Sequence, residues 1–301
     1  MLWLGNLEKE SVGWQMAVGK GILIAAFVLC AATSVCAWWS DGHAVMTEAA
    51  VLALPLDVPA FFRAGGQVAA HLSIDADVFK NRRVPTLDNA EYSEHFFNIE
   101  HLQGRSFPAR RYDFIELCQQ LGLDPQRVGF APYAIVEWTG RLTAAFAEYR
   151  RWPEDESIRY KCLVYAGFIA HYAEDLCQPL HATVHYNGKI GADGTAVGKG
   201  IHERVDSAPG RLGFTAQALA LGQEVAAFDS LIAGVVDQVV ESNSRVQAVY
   251  DLLGRWDNVD DGQIRVLVEE RSRRAVHFTA SLYLTAWRNS EDIRLPGWLR
   301  R

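Results

Sequence analysis

Eleven residues constrain this chain more than any others: His171-Tyr172-Ala173-Glu174-Asp175-Leu176-Cys177-Gln178-Pro179-Leu180-His181. The run before them, Cys162 to Ala170, is apolar and reads as a helix buried in a core. On that helix His171 and Asp175, four apart, share one face. Pro179 lacks an N–H and disfavours helical geometry at Gln178, so the helix should end there and the chain should turn to deliver His181. A buried carboxylate beside an imidazole needs a compensating partner. Two histidines and an aspartate converging at a helix end suit zinc, which takes His nitrogen and Asp oxygen. Any one of these histidines alone reads as an ordinary core or surface residue; the combination reverses that reading.

The rest of the chain also reads as helices. Ser40 or Asp41 can cap a helix running to about Leu54. A second is expected from Pro59 to about Ile74, followed by Asp75 to Lys80 and a loop containing Pro85. Gly104 to Arg110 reads as a linker and Tyr112 to Leu121 as a short helix. Ala131 to Trp152 is amphipathic, with Ile135, Trp138, Leu142, Phe146 and Tyr149 at spacings of three and four. The central helix runs from about Glu156 to Cys177. His185 to Gly200 holds five glycines and reads as an exposed loop without a phosphate-cradling motif. Phe214 to Asn289 is helical in period, with breaks near Ser242 and Asp257 to Gly262. With no strand-turn-strand rhythm and no repeat, the expectation is an all-α, single-domain multi-helix fold over residues 38–301. Of the 301 residues 50% are apolar, enough for one sizeable core. A net charge of −7 gives no basic field to attract nucleic acid non-specifically, and leaves room for a local phosphate ligand.

Residues 1–37 read as a signal peptide. Gly21 to Cys36 is apolar apart from Thr33 and Ser34, follows Lys20, and ends in Val35-Cys36-Ala37, small residues suited to cleavage after Ala37. Met16 is an alternative start that makes this signal compact. The mature chain would then begin at Trp38 and be exported, periplasmic or secreted. An uncleaved membrane anchor is the alternative, although the run is short for a span of about 20 residues. Cys118, Cys162 and Cys177 are left outside the signal, so at most one internal disulfide can form.

The remaining His and Asp elements are His43, Asp77, His95 and the pair His202 and Asp206, again four apart. Spacing alone does not bring five chain regions together. The motif His171-x3-Asp175-x2-Gln178-Pro179-Leu180-His181 resembles the signature of the zinc-dependent phospholipase C and fungal-type single-strand-specific nuclease superfamily. The order Trp38, His43, His95-Phe96, His202-x3-Asp206 is similar to that family's remaining elements, and the likeness spans Trp38 to Asp206. The resemblance implies three zinc ions. One would be held by Asp77, His95, His171 and Asp175. A second would be held by His181, His202 and Asp206. The third would use the Trp38 α-amino nitrogen and carbonyl oxygen, His43, and Asp175 as a bridge. Asp77, Asp175 and Lys80 would act on a phosphodiester. Two zincs sharing a carboxylate can hold one hydroxide between them, available near neutral pH.

The implied function is an exported zinc-dependent phosphodiesterase. It leans toward a single-strand nuclease or 3′-nucleotidase, because the last pair ends in Asp206 as in the nucleases, whereas phospholipases of the family generally carry Glu. Single-stranded nucleic acid or a nucleotide is the expected substrate, with Phe96 and Phe97 near Asp77 stacking a base; phospholipid is the alternative. A non-catalytic zinc-binding export protein is the reading from another class. Three departures from the family matter. Glu174 stands where the family usually has glycine, adding negative charge. Lys80 stands where nucleases tend to have arginine, and meets phosphate as a point charge rather than a fork. The gap from His95 to His171 is long, which places an insertion near Gly104 to Gly129. Asp75 competes with Asp77 as ligand, with the spacing to Lys80 favouring Asp77. Asn98 and Glu100 are candidates for orienting the histidine ligands; His71, His101, His185 and His277 are expected to be outside the site.

Overall fold

The computed structural model describes residues 38–190 and 194–301. The proposed signal at 1–37, with Cys30 and Cys36, lies outside the described residues. The described chain is all-α and forms one unit around a single core. Eight helices position what matters here: α1 (Ser40–Leu52), α2 (Gly66–Leu72), α3 (Asp75–Phe79), α4 (Ala131–Arg151), α5 (Glu156–Cys177), α6 (Ile201–Asp206), α7 (Leu231–Ser244) and α8 (Gly262–Asn289).

Helix α5 is the axis. Its start is capped by Asp155, whose side chain accepts from the backbone N–H groups of Ser157 and Ile158. From Ala166 to Cys177 every residue is buried, as expected of a helix apolar on all sides and packed by α4, α8, α2 and α1. Its end shows why the site is fixed. The last four carbonyls of a helix have no partner within it, and each left unpaired in a core costs about 1–3 kcal/mol. Here all four are met. Trp38 Nε1 donates to Glu174 O at 2.8 Å, and Gln178 N to Asp175 O at 2.9 Å. Ser242 Oγ donates to Leu176 O at 2.6 Å, and Arg271 Nε to Cys177 O at 3.0 Å. Three segments distant in sequence thus clamp the residue range that carries Asp175. Buried Arg271 is itself paired with Glu241.

Several expectations change. The stretch 59–74 is not one helix: Ala60–Ala64 and α2 are separated at Gly65, where an added Cβ would lie 2.4 Å from Leu163 Cδ2. Close packing against α5 breaks the helix there. The segment around Pro85 is a helix, Pro85–Glu91, with proline in its first turn, where a missing N–H costs nothing. The glycine-rich stretch contains a two-residue antiparallel pair, Lys189–Ile190 with Ala196–Val197, too short for strand periodicity to register. The extra length between His95 and α4 includes two short helices, Arg111–Gln120 and Pro125–Val128. Cys118, Cys162 and Cys177 are free and buried.

Candidate metal centre

Asp175 is the hub. It is fully buried near the C-terminal end of α5, and four histidines crowd its carboxylate. His43 Nε2 lies 3.3 Å from Oδ1; His95 Nδ1, His171 Nε2 and His181 Nδ1 lie 3.0, 3.4 and 3.7 Å from Oδ2. His43 comes from α1, stacked on His171 with ring centroids 4.2 Å apart. Asp77, on α3, brings Oδ1 to 3.7 Å from His171 Nε2 and 3.9 Å from His95 Nδ1. Of the two carboxylates left open by the sequence, Asp77 is the one that reaches this cluster. Lys80 Nζ lies 2.5 Å from Asp77 Oδ1. A second focus lies at the turn after α5. His181 and His202 stack at 4.8 Å, and Asp206 sits 3.1 Å from His202 Nε2 and 3.9 Å from His181 Nε2.

Three groups therefore have the geometry to hold a cation: His43, His171 and Asp175; Asp77, His95 and His171; His181, His202 and Asp206. Every predicted side-chain ligand falls in one of them. Sequence spacing alone does not bring these segments together; backbone bonds help to do so. Phe97 N donates to His181 O at 2.8 Å, tying the His95 segment to the His181 turn, and Trp39 N donates to Asp206 O at 3.2 Å, tying α1 to α6. The Trp38 ring is buried and holds the segment before α1 against α5, its Nε1 donating to Glu174 O.

Behind each histidine is a second partner that orients the ring. His171 Nδ1 meets Ser73 O at 2.6 Å, His181 Nδ1 meets His95 O at 2.7 Å, and His202 Nδ1 lies 3.3 Å from Tyr186 O. His43 Nδ1 instead meets Glu174 Oε2 at 2.7 Å, and His95 Nε2 lies 3.5 Å from Glu91 Oε1, which also accepts from the Tyr172 hydroxyl. Such outer partners fix which nitrogen faces the centre. The approach of Ser73 depends on Gly167, one helical turn before His171: a Cβ there would lie 2.7 Å from Leu72 C. Gly129, at φ +102°, similarly lets Phe96 approach, since a Cβ would lie 2.1 Å from its carbonyl oxygen.

Charge follows burial and neighbours. Burial presses His43 down, but the carboxylates of Asp175 and Glu174 outweigh it and lift the imidazolium to about 10. Burial, reinforced by the charge of His43, lowers His171 to about 4. Burial and the charge of His181 lower His202 to about 3, and burial lowers His181 too. Burial opposes ionisation of Asp175, yet the charges of His181 and His171 hold it well below the usual carboxylate range. Burial and the charge of Asp175 raise Asp206 well above it.

Some residues have roles the sequence did not disclose. Phe97, two residues after His95, is fully buried against Phe107 and Phe114, so it is core rather than a base-stacking surface. Asn98 donates to Arg127 O and Glu100 accepts from Thr183, Val184 N and Asn243; both brace loops and neither touches a site histidine. Glu174 is fully buried and partnered rather than a stray charge. Glu91, four residues before His95, backs that histidine although nothing in its local sequence marks it. His71, His101, His185 and His277 belong to none of the three groups. No protein-family model matches the chain, and no curated protein matches its sequence.

Proposed function

We propose that this chain is an exported zinc-dependent phosphodiesterase, a phosphoric ester hydrolase with three zinc positions. One observation carries the reading. His43 Nε2, Asp175 Oδ1, His181 Nε2 and Asp206 Oδ2 are buried polar atoms without a hydrogen-bond partner among the described residues, and they lie within the three ligand groups. An unpaired buried polar atom costs about 1–3 kcal/mol, so four concentrated in one place need a function. The donor set fits zinc: neutral imidazole nitrogens mixed with single carboxylate oxygens, unlike the all-oxygen shells of calcium or magnesium.

When bound, zinc supplies Lewis acidity toward a phosphoryl oxygen and makes water nucleophilic near neutral pH. The chain's own residues do the rest. His171 is common to the first two groups. Asp175, in the first, brings Oδ2 to 3.0 Å from His95 Nδ1 in the second, so it is placed to bridge them. Asp77 and Lys80 stand together at the edge of the cluster, and Lys80 supplies positive charge for an anionic phosphate. Helix α5 keeps the ligand face dry.

The substrate reading leans toward single-stranded nucleic acid or 3′-nucleotides, on Asp206 as the last acidic ligand and on the length of the His181 to His202 segment. Burial of Phe97 removes one of the two aromatics that favoured a base. The phospholipid reading gains from exposed Tyr186, Ile190 and Val197 on the hairpin beside His202. Export rests on residues 20–37; no described helix is long and apolar enough to cross a membrane. The test is turnover of bis-p-nitrophenyl phosphate by the chain starting at Trp38, with loss on chelation and return on adding zinc. Parallel assays on single-stranded DNA, 3′-nucleotides and phosphatidylcholine decide the subclass. Zinc bound in the groups without turnover of any of these would replace the enzyme reading with the zinc-binding export protein.

A further inference from the structure

Glu174 is the one fully buried carboxylate at the centre that belongs to none of the three ligand groups. It neighbours Asp175 in sequence, yet its side chain leaves α5 in another direction, toward α1. There Oε2 meets His43 Nδ1 at 2.7 Å and Oε1 accepts from Thr47 Oγ1 at 2.9 Å. His43 and Thr47 are four apart on α1, so one helix face presents both partners. The Glu174 carbonyl is engaged separately, by the Trp38 indole. Side chain and backbone of this residue thus bind α1 and the segment before it to the hub helix at three points.

The arrangement has a consequence for His43. Its ring cannot turn without losing the Nδ1 contact, so Nε2 is held toward Asp175 Oδ1, 3.3 Å away. The stack on His171 limits the remaining freedom. Three of the other four histidines of the site are oriented by peptide carbonyls. His43 is oriented by a charged group that also strengthens its basicity as a ligand.

We propose that Glu174 is a positioning residue: with Thr47 it fixes His43 so that His43 and Asp175 can share one cation, forming a carboxylate–histidine–metal relay built across α1 and α5. This rests on the metal reading above. It predicts that the relay acts only on the ion at His43.

The experiment compares wild type, Glu174→Gln and Glu174→Ala, each starting at Trp38, titrated with zinc under competition by a chelator and observed by long-range proton–nitrogen NMR of the histidine rings. In Glu174→Gln the amide oxygen can still accept from Nδ1 and the amide nitrogen can donate to Thr47. The expected order of affinity at the His43 position is wild type, then Gln, then Ala, with Ala weaker by about 10–100-fold. The His181–His202–Asp206 position should be unchanged in all three. His43 Nδ1 should remain protonated and protected from exchange in wild type and Gln, and lose that signature in Ala. A purely structural glutamate would weaken all three positions together. Should Glu174→Ala not fold, the Gln variant decides: loss of the Nδ1 signature there, with its amide available, overturns the proposal. Equal affinity and an unchanged His43 signature in Glu174→Ala overturn it while leaving the metal centre intact. A wild type that binds no zinc near His43 overturns both.

Discussion

The two ends of the centre use the same ligand chemistry on different foundations. At the Asp175 end, the ligands stand mainly on long or closely packed elements: α5 and α1, braced by α2 and by the four capped carbonyls of α5. Two of its histidines face carboxylates, Glu174 and Glu91. At the His202 end, the ligands stand on the turn at 179–182 and on six-residue α6, next to a glycine-rich hairpin. There the histidines are backed by peptide carbonyls, and Gln178 Nε2 donates to Asp206 Oδ1 at 2.6 Å. The first end is thus preorganised by the core, and the second by local turns. Metal should be held tightly at the first and exchanged more readily at the second.

The largest expected effect breaks the rigid end. Asp175→Asn should abolish phosphodiester turnover and strip metal from both groups whose histidines crowd this carboxylate, measured as zinc per chain after gel filtration. Retained activity with a full zinc complement would remove Asp175 from the centre. Next, His202→Ala should lose about one zinc per chain, leave the Asp175 end occupied, and keep its helical circular dichroism. If stoichiometry were unchanged, the three-group assignment would be wrong at that end.

A smaller effect is expected at Gly167. Alanine there would press on Leu72 and displace Ser73 from His171, so affinity at the Asp175 end should fall by about 10–100-fold, as for loss of an orienting partner. Stability should fall by about 1–3 kcal/mol, the usual cost of overpacking. The His202 end should not respond, which competition titrations of the two ends would reveal.

The mildest test is pH on the chelated protein. His171 and His202 are held below their unfolded value near 6.5, so the unfolded chain binds more protons as pH drops. Through these two groups stability should decline from about pH 6.5 toward 4, opposed by Glu174 and Asp206, whose carboxyls burial raises in the folded chain. His43 has the opposite sign. Raised to about 10, it contributes stability that is complete below 6.5 and lost as pH rises through 10. Urea melts across this range measure both limbs, and His43→Gln should remove the alkaline one and shrink the acid one, because the charge of His43 helps hold His171 down. A flat profile on both sides would refute the assigned charge states.

The sequence exposed those parts of the site that local geometry dictates. His171 and Asp175 share a face by helical period, Pro179 forces the turn that presents His181, and His202 and Asp206 repeat the four-residue spacing. The parts it hid depend on contacts distant in the chain. Gly65 breaks a helix only because Leu163 packs there. Glu174 looked like an unsupported charge because its partners, His43 and Thr47, lie on α1, more than 120 residues away. Phe97 lies two residues from a site histidine yet belongs to the core, because Phe107 and Phe114 pack on it. Periodicity gives faces, but it does not say which faces meet.

The central claim is that three metal positions converge at these residues, two sharing Asp175. Anomalous diffraction at the zinc edge, on crystals of the chain starting at Trp38 grown with zinc, tests it most directly. Two peaks should flank the Asp175 carboxylate and a third should lie among His181, His202 and Asp206. Absence of any peak at Asp175, or zinc bound only to surface groups, would contradict the account.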